Sequence, residues 1–420
     1  MEDFKHLIKS SKFKYLWASQ ILSQLTINII FFLLFIRLFE HTGSSIATSL
    51  LWIAYALPAI IIGPFAAALV DMTDRRSMLI VTNFLQAATV FLYALLHENR
   101  LFLPYGVILI YSFVNQFNDP AEAASLPSLV KKKNLPHANS LFFLTQQGGL
   151  IIGFGIAGML KHLLGFGNAL FLCSGFLFLA SISVSFLPPM GTEKSVRKGF
   201  EEEVMKFFAR IVEGYKFIKE NRSILLPFVL MLGLSVSLSV VAVNLPALAT
   251  EIFKINVDSA GLLIIVPAGA GAAVGAILVS KFLKEGWRKK KAIETFLMIM
   301  TFLLFVFTFI LPELPHYGRI LAGMITVFLI GLSFTGIFIP SQTFLQEKTP
   351  GGLRGRVFGN YWFLVTVATV FPVLFSGAIT EMFGIRFLTF LLTGVLLVTL
   401  VFSNKYGQEV LDNEFSFRKK

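Results

Sequence analysis

Six charged side chains stand where charge is costly or crowded. Asp119 and Glu122 lie three residues apart at the end of an apolar stretch, and Asp71, Asp74, Arg75 and Arg76 fill a short gap between two long apolar runs. An ionised carboxylate near a bilayer interior costs about 2.5–3.5 kcal/mol on insertion scales, so acids kept there are usually paired with a base or functional. Two kinds of chemistry are on offer: a carboxylate–guanidinium clasp, or a carboxyl that takes up and releases a proton. The competing readings are structural, with Glu122 snorkelling to the membrane surface and the 71–76 stretch a solvated loop. Enzymatic chemistry lacks its residues. His6, His41, His97, His137, His162 and His316 fall at ends or loops, and Cys173 is the single cysteine, so no disulfide within the chain and no metal site is expected. No phosphate-binding glycine-lysine loop is present, which excludes ATP hydrolysis by the chain itself.

The elements that must position these groups are membrane helices. Of the 420 residues 55% are hydrophobic and 14% charged, with 46 phenylalanines, and the mean hydropathy is +0.76. No water-soluble surface can be built from that composition. Apolar runs of about 20 residues match a hydrocarbon core about 30 Å thick, whereas a barrel would show shorter alternating segments. Twelve spans are expected, at 15–37, 46–70, 77–97, 101–124, 139–161, 166–188, 223–249, 258–281, 292–312, 317–341, 357–379 and 385–404. Of the 36 Lys and Arg, 30 fall on one side of these spans. Positive residues are retained in the cytoplasm, so both termini are expected there. The net charge of +12 is thus topological and does not point to nucleic acid. No cleavable signal peptide is expected, because the run after the basic start is of full membrane length.

Six spans precede a polar segment and six follow it, which predicts an all-α membrane protein of two pseudo-symmetric six-helix bundles. The expected organisation is 1–189 for the first bundle, 190–222 for a cytoplasmic linker, 223–404 for the second bundle and 405–420 for a cytoplasmic tail. Within the linker, Phe200, Val204, Phe207, Ile211, Tyr215 and Ile218 recur at helical spacing, giving an amphipathic helix on the membrane surface or under the bundle. An internal repeat supports the division: Pro120 precedes Glu122 by two at the close of span 4, and Pro340 precedes Gln342 by two at the close of span 10.

The stretch from Gly63 to Arg76 resembles the loop between helices 2 and 3 of the major facilitator superfamily, roughly G-x-x-x-D-R-x-G-R-R. Asp71, Arg75 and Arg76 fit; Ala67 and Met72 replace the first glycine and first arginine. Asp74 stands for the second glycine, as in the branch of drug:proton antiporters resembling macrolide and siderophore exporters. The segments 120–139 and 342–357 resemble the same branch. Gly149, Gly153, Ala157 and Gly158 are similar to the antiporter signature on helix 5, although Phe154 stands where its proline belongs. Small residues at that spacing also suit plain close helix packing.

The resemblance implies alternating access about a midplane cavity, locked on the cytoplasmic side by a network of Asp71, Arg75 and Asp119/Glu122. The cavity candidates are Gln24, Asn28, Tyr111, Asn115, Gln147, Asn244, Asn360, Tyr361 and Trp362, each alternatively interhelical glue. A mostly apolar cavity with aromatic walls is expected, suiting a bulky amphipathic solute. The expected function is efflux of such a molecule in exchange for protons, from the plasma (inner) membrane, by a monomer among membrane lipids, without cofactor and driven by the proton-motive force. Competing readings are a lysophospholipid or other lipid transporter, and a non-transporting receptor or scaffold.

Overall fold

The computed structural model describes residues 10–97, 100, 102–131, 134–190, 200–350 and 353–416, and every element described is a helix. In a bilayer each N–H and C=O must be satisfied within its own segment, which long apolar runs achieve as helices. The helices are α1 Ser11–Thr42, α2 Ser45–Asp71, α3 Arg75–Leu96, α4 Leu103–Leu129, α5 Leu135–Leu164 and α6 Phe166–Ser185. After these come the linker helix α7 Phe200–Glu220, then α8 Arg222–Val243, α9 Val266–Lys284, α10 Lys289–Phe305, α11 His316–Lys348, α12 Arg354–Phe383 and α13 Ile385–Ser416. Each of the twelve expected spans coincides with one of these helices.

Nine helices among the described residues are long and apolar enough to cross a membrane. A tenth span is bent: α8 and the segment Leu245–Phe253 meet at 61°. Asn244 sits at the break and Pro246, lacking an N–H, follows it, so the helical ladder cannot run through unbroken. The apolar part of α13, Ile385–Val401, is shorter, and α4 is not among the strongly apolar helices. Its second half carries Asn115, Gln116, Asn118, Asp119 and Glu122, with Pro120 and Pro127 inside the helix. The candidate chemistry thus lies on the polar second half of this helix.

The chain divides into two compact units, Met1–Gly43 with Leu50–Phe207, and Ser44–Ser49 with Phe208–Lys420. Within the first, α1 packs on α4, α5 and α6, and α3 packs on α4 and α6. Within the second, α8 packs on α11, α12 and α13, and α10 on α11 and α13, which is the same pairing shifted by seven helices. The turns repeat as well. Gly165 between α5 and α6 has φ 80° and ψ 161°, and Gly384 between α12 and α13 has φ 81° and ψ 160°. A side chain at either φ would be strained, so glycine serves both corners.

One apolar core of the first unit gathers where the Asp74 loop lies, with Phe13, Leu16, Val70, Leu79, Ala121, Leu126, Val184 and Met190 buried together. The linker helix is tied to the second unit. Gly214 lies against α12 closely enough that a Cβ would meet the Arg356 carbonyl at 2.9 Å, and Glu213 pairs with Arg356. Of the amphipathic face expected there, Ile218 is buried and Tyr215 exposed; the side chains of Phe200, Val204, Phe207 and Ile211 lie outside the described residues.

Candidate functional site

Asp74 is the N-cap of α3. Its Oδ2 accepts from Ser77 N at 2.9 Å and from the Ser77 hydroxyl at 2.7 Å, satisfying donors that a helix start leaves open. Its Oδ1 accepts from Met190 N at 2.7 Å, and Arg75 N returns a 3.5 Å bond to Met190 O. Partial burial pushes this carboxyl up, but the Ser77 and Met190 hydrogen bonds and the Arg76 charge outweigh it and hold the carboxyl below the usual carboxylate range. Asp74 therefore fastens the start of α3 to the segment that leaves α6.

The arginines reach carbonyls. Arg76 Nη2 donates to Ser185 O at 2.6 Å, at the end of α6. Arg75 Nη1 donates to Ala124 O at 2.9 Å and to Ser128 Oγ at 3.3 Å. It thus meets α4 at the expected end, but among the described residues it makes no ion pair with Asp119 or Glu122. The physical reason is the face of α4 that Arg75 meets: Ala124 and Ser128 lie one turn apart on it, whereas Glu122, two residues before Ala124, is turned about 200° around the helix and Asp119 lies a further turn back. The Asp71 side chain lies outside the described residues.

The acids belong to a different neighbourhood. Asn115 Nδ2 donates to Asp119 Oδ2 at 2.8 Å, and Gln86 Nε2 on α3 donates to Asn115 Oδ1 at 3.0 Å. A turn further along, Thr82 Oγ1 donates to Asn118 Oδ1 at 2.8 Å. Polar bonds thus run down the α3–α4 seam. Beside it lies a cavity of about 80 Å³ lined by Ser23, Gln24, Ile27, Tyr55, Tyr111, Asn115, Asp119 and Gln146. Among the described residues Asp119 is its only charged lining residue. Glu122, by contrast, is buried at 8% exposure, and its Oε1 has no hydrogen-bond partner.

Three of the expected cavity residues, Gln24, Tyr111 and Asn115, line this space together with Asp119. Gln147 does not; its neighbour Gln146 does, since one residue turns a helix by about 100°. Asn28 instead bonds back to Gln24 O at 2.7 Å. The lining is also more polar than expected, Ile27 being its only aliphatic side chain. Sequence reading passed over Ser23, Tyr55, Gln146, Asn83 and Gln86. The last two carried a signal, because amides at i and i+3 inside an apolar run are costly unless they meet a partner.

The helix-packing motif meets α1. A Cβ on Gly149 would lie 3.2 Å from Gln24 Cβ, and one on Gly153 would lie 2.6 Å from Asn28 Cβ. Ala157 and Gly158 continue the buried face. In the second unit, Asn244 Nδ2 donates to Ser376 Oγ at 2.9 Å. Tyr361 shares a 2.7 Å hydrogen bond with Ser235 and packs edge-on to Phe228. Asn360 is buried beneath Gly214, and Trp362 is 60% exposed. Asn244 and Tyr361 therefore act as interhelical fasteners in this structure.

The sequence profile of the Major Facilitator Superfamily matches residues 16–372. The multidrug efflux pump Tap of Mycolicibacterium fortuitum is 24% identical over 384 residues, which cover 86% of this chain and 88% of Tap. Macrolide efflux protein A of Streptococcus pyogenes is 23% identical over 407 residues, covering 93% and 94%. Among solved structures, a bacterial homologue of the human lysosomal transporter Spinster, inward-facing and occupied, superposes with a TM-score of 0.73 at 11% identity, over 94% of this chain and 96% of that one. That similarity concerns the fold.

Proposed function

The chain belongs to the Major Facilitator Superfamily, and from that premise we propose that this multi-pass membrane transporter exports an amphipathic small molecule in exchange for protons. The observation that carries the reading is Asp119, among the described residues the only charged group on a cavity otherwise walled by three amides, one serine, two tyrosines and Ile27. A carboxyl at such a place can bind a proton or a solute's polar group, and exchange follows if the two compete. The relatives named for multidrug and macrolide efflux align over most of the chain and support the outward direction. Alternating access, a plasma-membrane location with both termini in the cytoplasm, action as a monomer and the proton-motive force as driver belong to the same proposal.

The polar lining of the first-unit cavity departs from the mostly apolar walls expected for a bulky amphipathic solute and for a lipid alike. Everted membrane vesicles supplied with an amphipathic dye on the outside test the proposal. Accumulation driven by interior acidification is the expected result; dye movement indifferent to the gradient contradicts proton exchange.

A further inference from the structure

We propose that the start of α11 binds the phosphate of a membrane phospholipid, with Arg319 as the charged donor, the backbone N–H groups of residues 316–318 beside it, and the acyl chain laid along the exposed face of the same helix. The site lies within the second unit and does not depend on the export reading.

Of the charged side chains described, only Glu122 and Arg319 are buried, Arg319 at 8% exposure. A guanidinium carries five N–H donors. Among the described residues that of Arg319 has one acceptor, Leu314 O, 2.8 Å from Nη2, and its Nε is buried without a partner. Glu313 is next to Leu314 in the chain but pairs with Arg386 at 3.2 Å, and Glu251 accepts from Ile385 N at 3.1 Å. Among the described residues neither acid makes an ion pair with Arg319. A buried cation is costly unless it is paired. The helix raises that cost, because its first turn carries the positive end of the dipole. The Arg319 charge calls for an anion.

The helix start beside it is open. Pro315, the N-cap of α11, gives the first turn no side-chain hydrogen bond, so the N–H groups of His316, Tyr317 and Gly318 have no acceptor within the helix. Arg319 N is the first to find one, in Pro315 O at 2.8 Å. Residues 315–318 are exposed. Gly318 adds room, since a Cβ built there would meet only Pro315 Cδ, at 4.0 Å. The Arg319 side chain reaches back toward this turn to bond Leu314 O. A guanidinium beside a row of open N–H groups suits a phosphate, whose several oxygens accept from both. The lipid source follows from what continues the turn. Tyr317, Leu321 and Ile325 recur at four-residue steps and are 86%, 63% and 53% exposed, an apolar stripe that begins at the helix start. A phosphate held there has a path for its acyl chain and a tyrosine at the level of the headgroups.

The test uses the purified full-length protein in an uncharged detergent, with its unfolding temperature read against added phosphatidylglycerol, diacylglycerol of the same chains, and inorganic phosphate. Phosphatidylglycerol is expected to raise the unfolding temperature, and diacylglycerol, which lacks the phosphate, to leave it unchanged. Arg319→Gln removes the response. Arg319→Lys keeps the charge without the fork and weakens the midpoint about tenfold, the worth of one charge-assisted hydrogen bond. Gly318→Leu puts a side chain over the exposed N–H groups without touching the buried arginine, and weakens the midpoint in a protein that folds normally. A response to phosphatidylglycerol that survives Arg319→Gln or, should that variant not fold, Gly318→Leu overturns the inference, as does one matched by diacylglycerol. Stabilisation by inorganic phosphate alone overturns the lipid assignment. If no addition stabilises the protein, Arg319 only fastens Leu314 O and the inference fails.

Discussion

Asn115 and Asp119, one turn apart on α4, are joined by a 2.8 Å bond from Nδ2 to Oδ2, and the same amide accepts from Gln86 of α3 at 3.0 Å. The cavity carboxylate is thereby aimed by a neighbour that is itself held across a helix seam. Asn115→Leu leaves Gln86 without its acceptor and Asp119 without its donor. The expected cost is about 1–3 kcal/mol, and adding Gln86→Leu recovers part of it, since removing both partners is cheaper than removing one. Thermal unfolding of the two single variants and the double variant checks this; strict additivity would refute the link.

The α1–α5 contact makes a sharper steric prediction. Gly153→Val drives a Cβ to within 2.6 Å of Asn28 Cβ, whereas a Cβ on Gly148 meets nothing within 4 Å. Overpacking of this kind costs about 1–3 kcal/mol. Gly153→Val is therefore expected to lower the unfolding temperature and folded yield, with Gly148→Ala close to the unaltered protein.

Asp74 sets a pH dependence whose sign is fixed by its partners. Its carboxyl is held below its ordinary 3.8, so its stabilisation is present above that value and is lost as the pH falls through the lower folded-state one. Asp74→Ala removes a helix cap, at a cost of about 1 kcal/mol. The gap in unfolding temperature between this variant and the unaltered protein is expected to be constant at higher pH and to close in strong acid.

Twelve apolar runs and the six-plus-six repeat were legible because a membrane forces both run length and helicity onto the sequence. The bend at Asn244 and the corners at Gly165 and Gly384 depend on backbone angles that one proline or one glycine only permits. The site was partly legible. Asp119 declares itself by the cost of its charge, and Gln24, Tyr111 and Asn115 share its depth. Which helical face each side chain takes was not readable, so Gln147 was expected where Gln146 stands, and Tyr361 was expected on a cavity wall where it bonds Ser235. The choice of Ala124 O over an acid by Arg75 turns on which face of α4 meets the start of α3, which composition and spacing do not encode.

Tyr361→Phe separates fastening from transport. It removes the hydroxyl shared with Ser235 and bonded to Met231 O at 3.3 Å, at an expected cost of about 1 kcal/mol. Dye efflux per folded molecule is expected to stay within about twofold of the unaltered rate; loss of efflux would place Tyr361 in the transport path.

The central claim is that the carboxyl at the cavity exchanges solute for protons. The direct measurement is proton movement on dye addition to proteoliposomes that hold the unaltered protein or Asp119→Asn, each checked for folded content. Dye-dependent proton flux in the unaltered protein and its loss, by at least about tenfold, in Asp119→Asn is the predicted result. Equal flux from both would contradict the account.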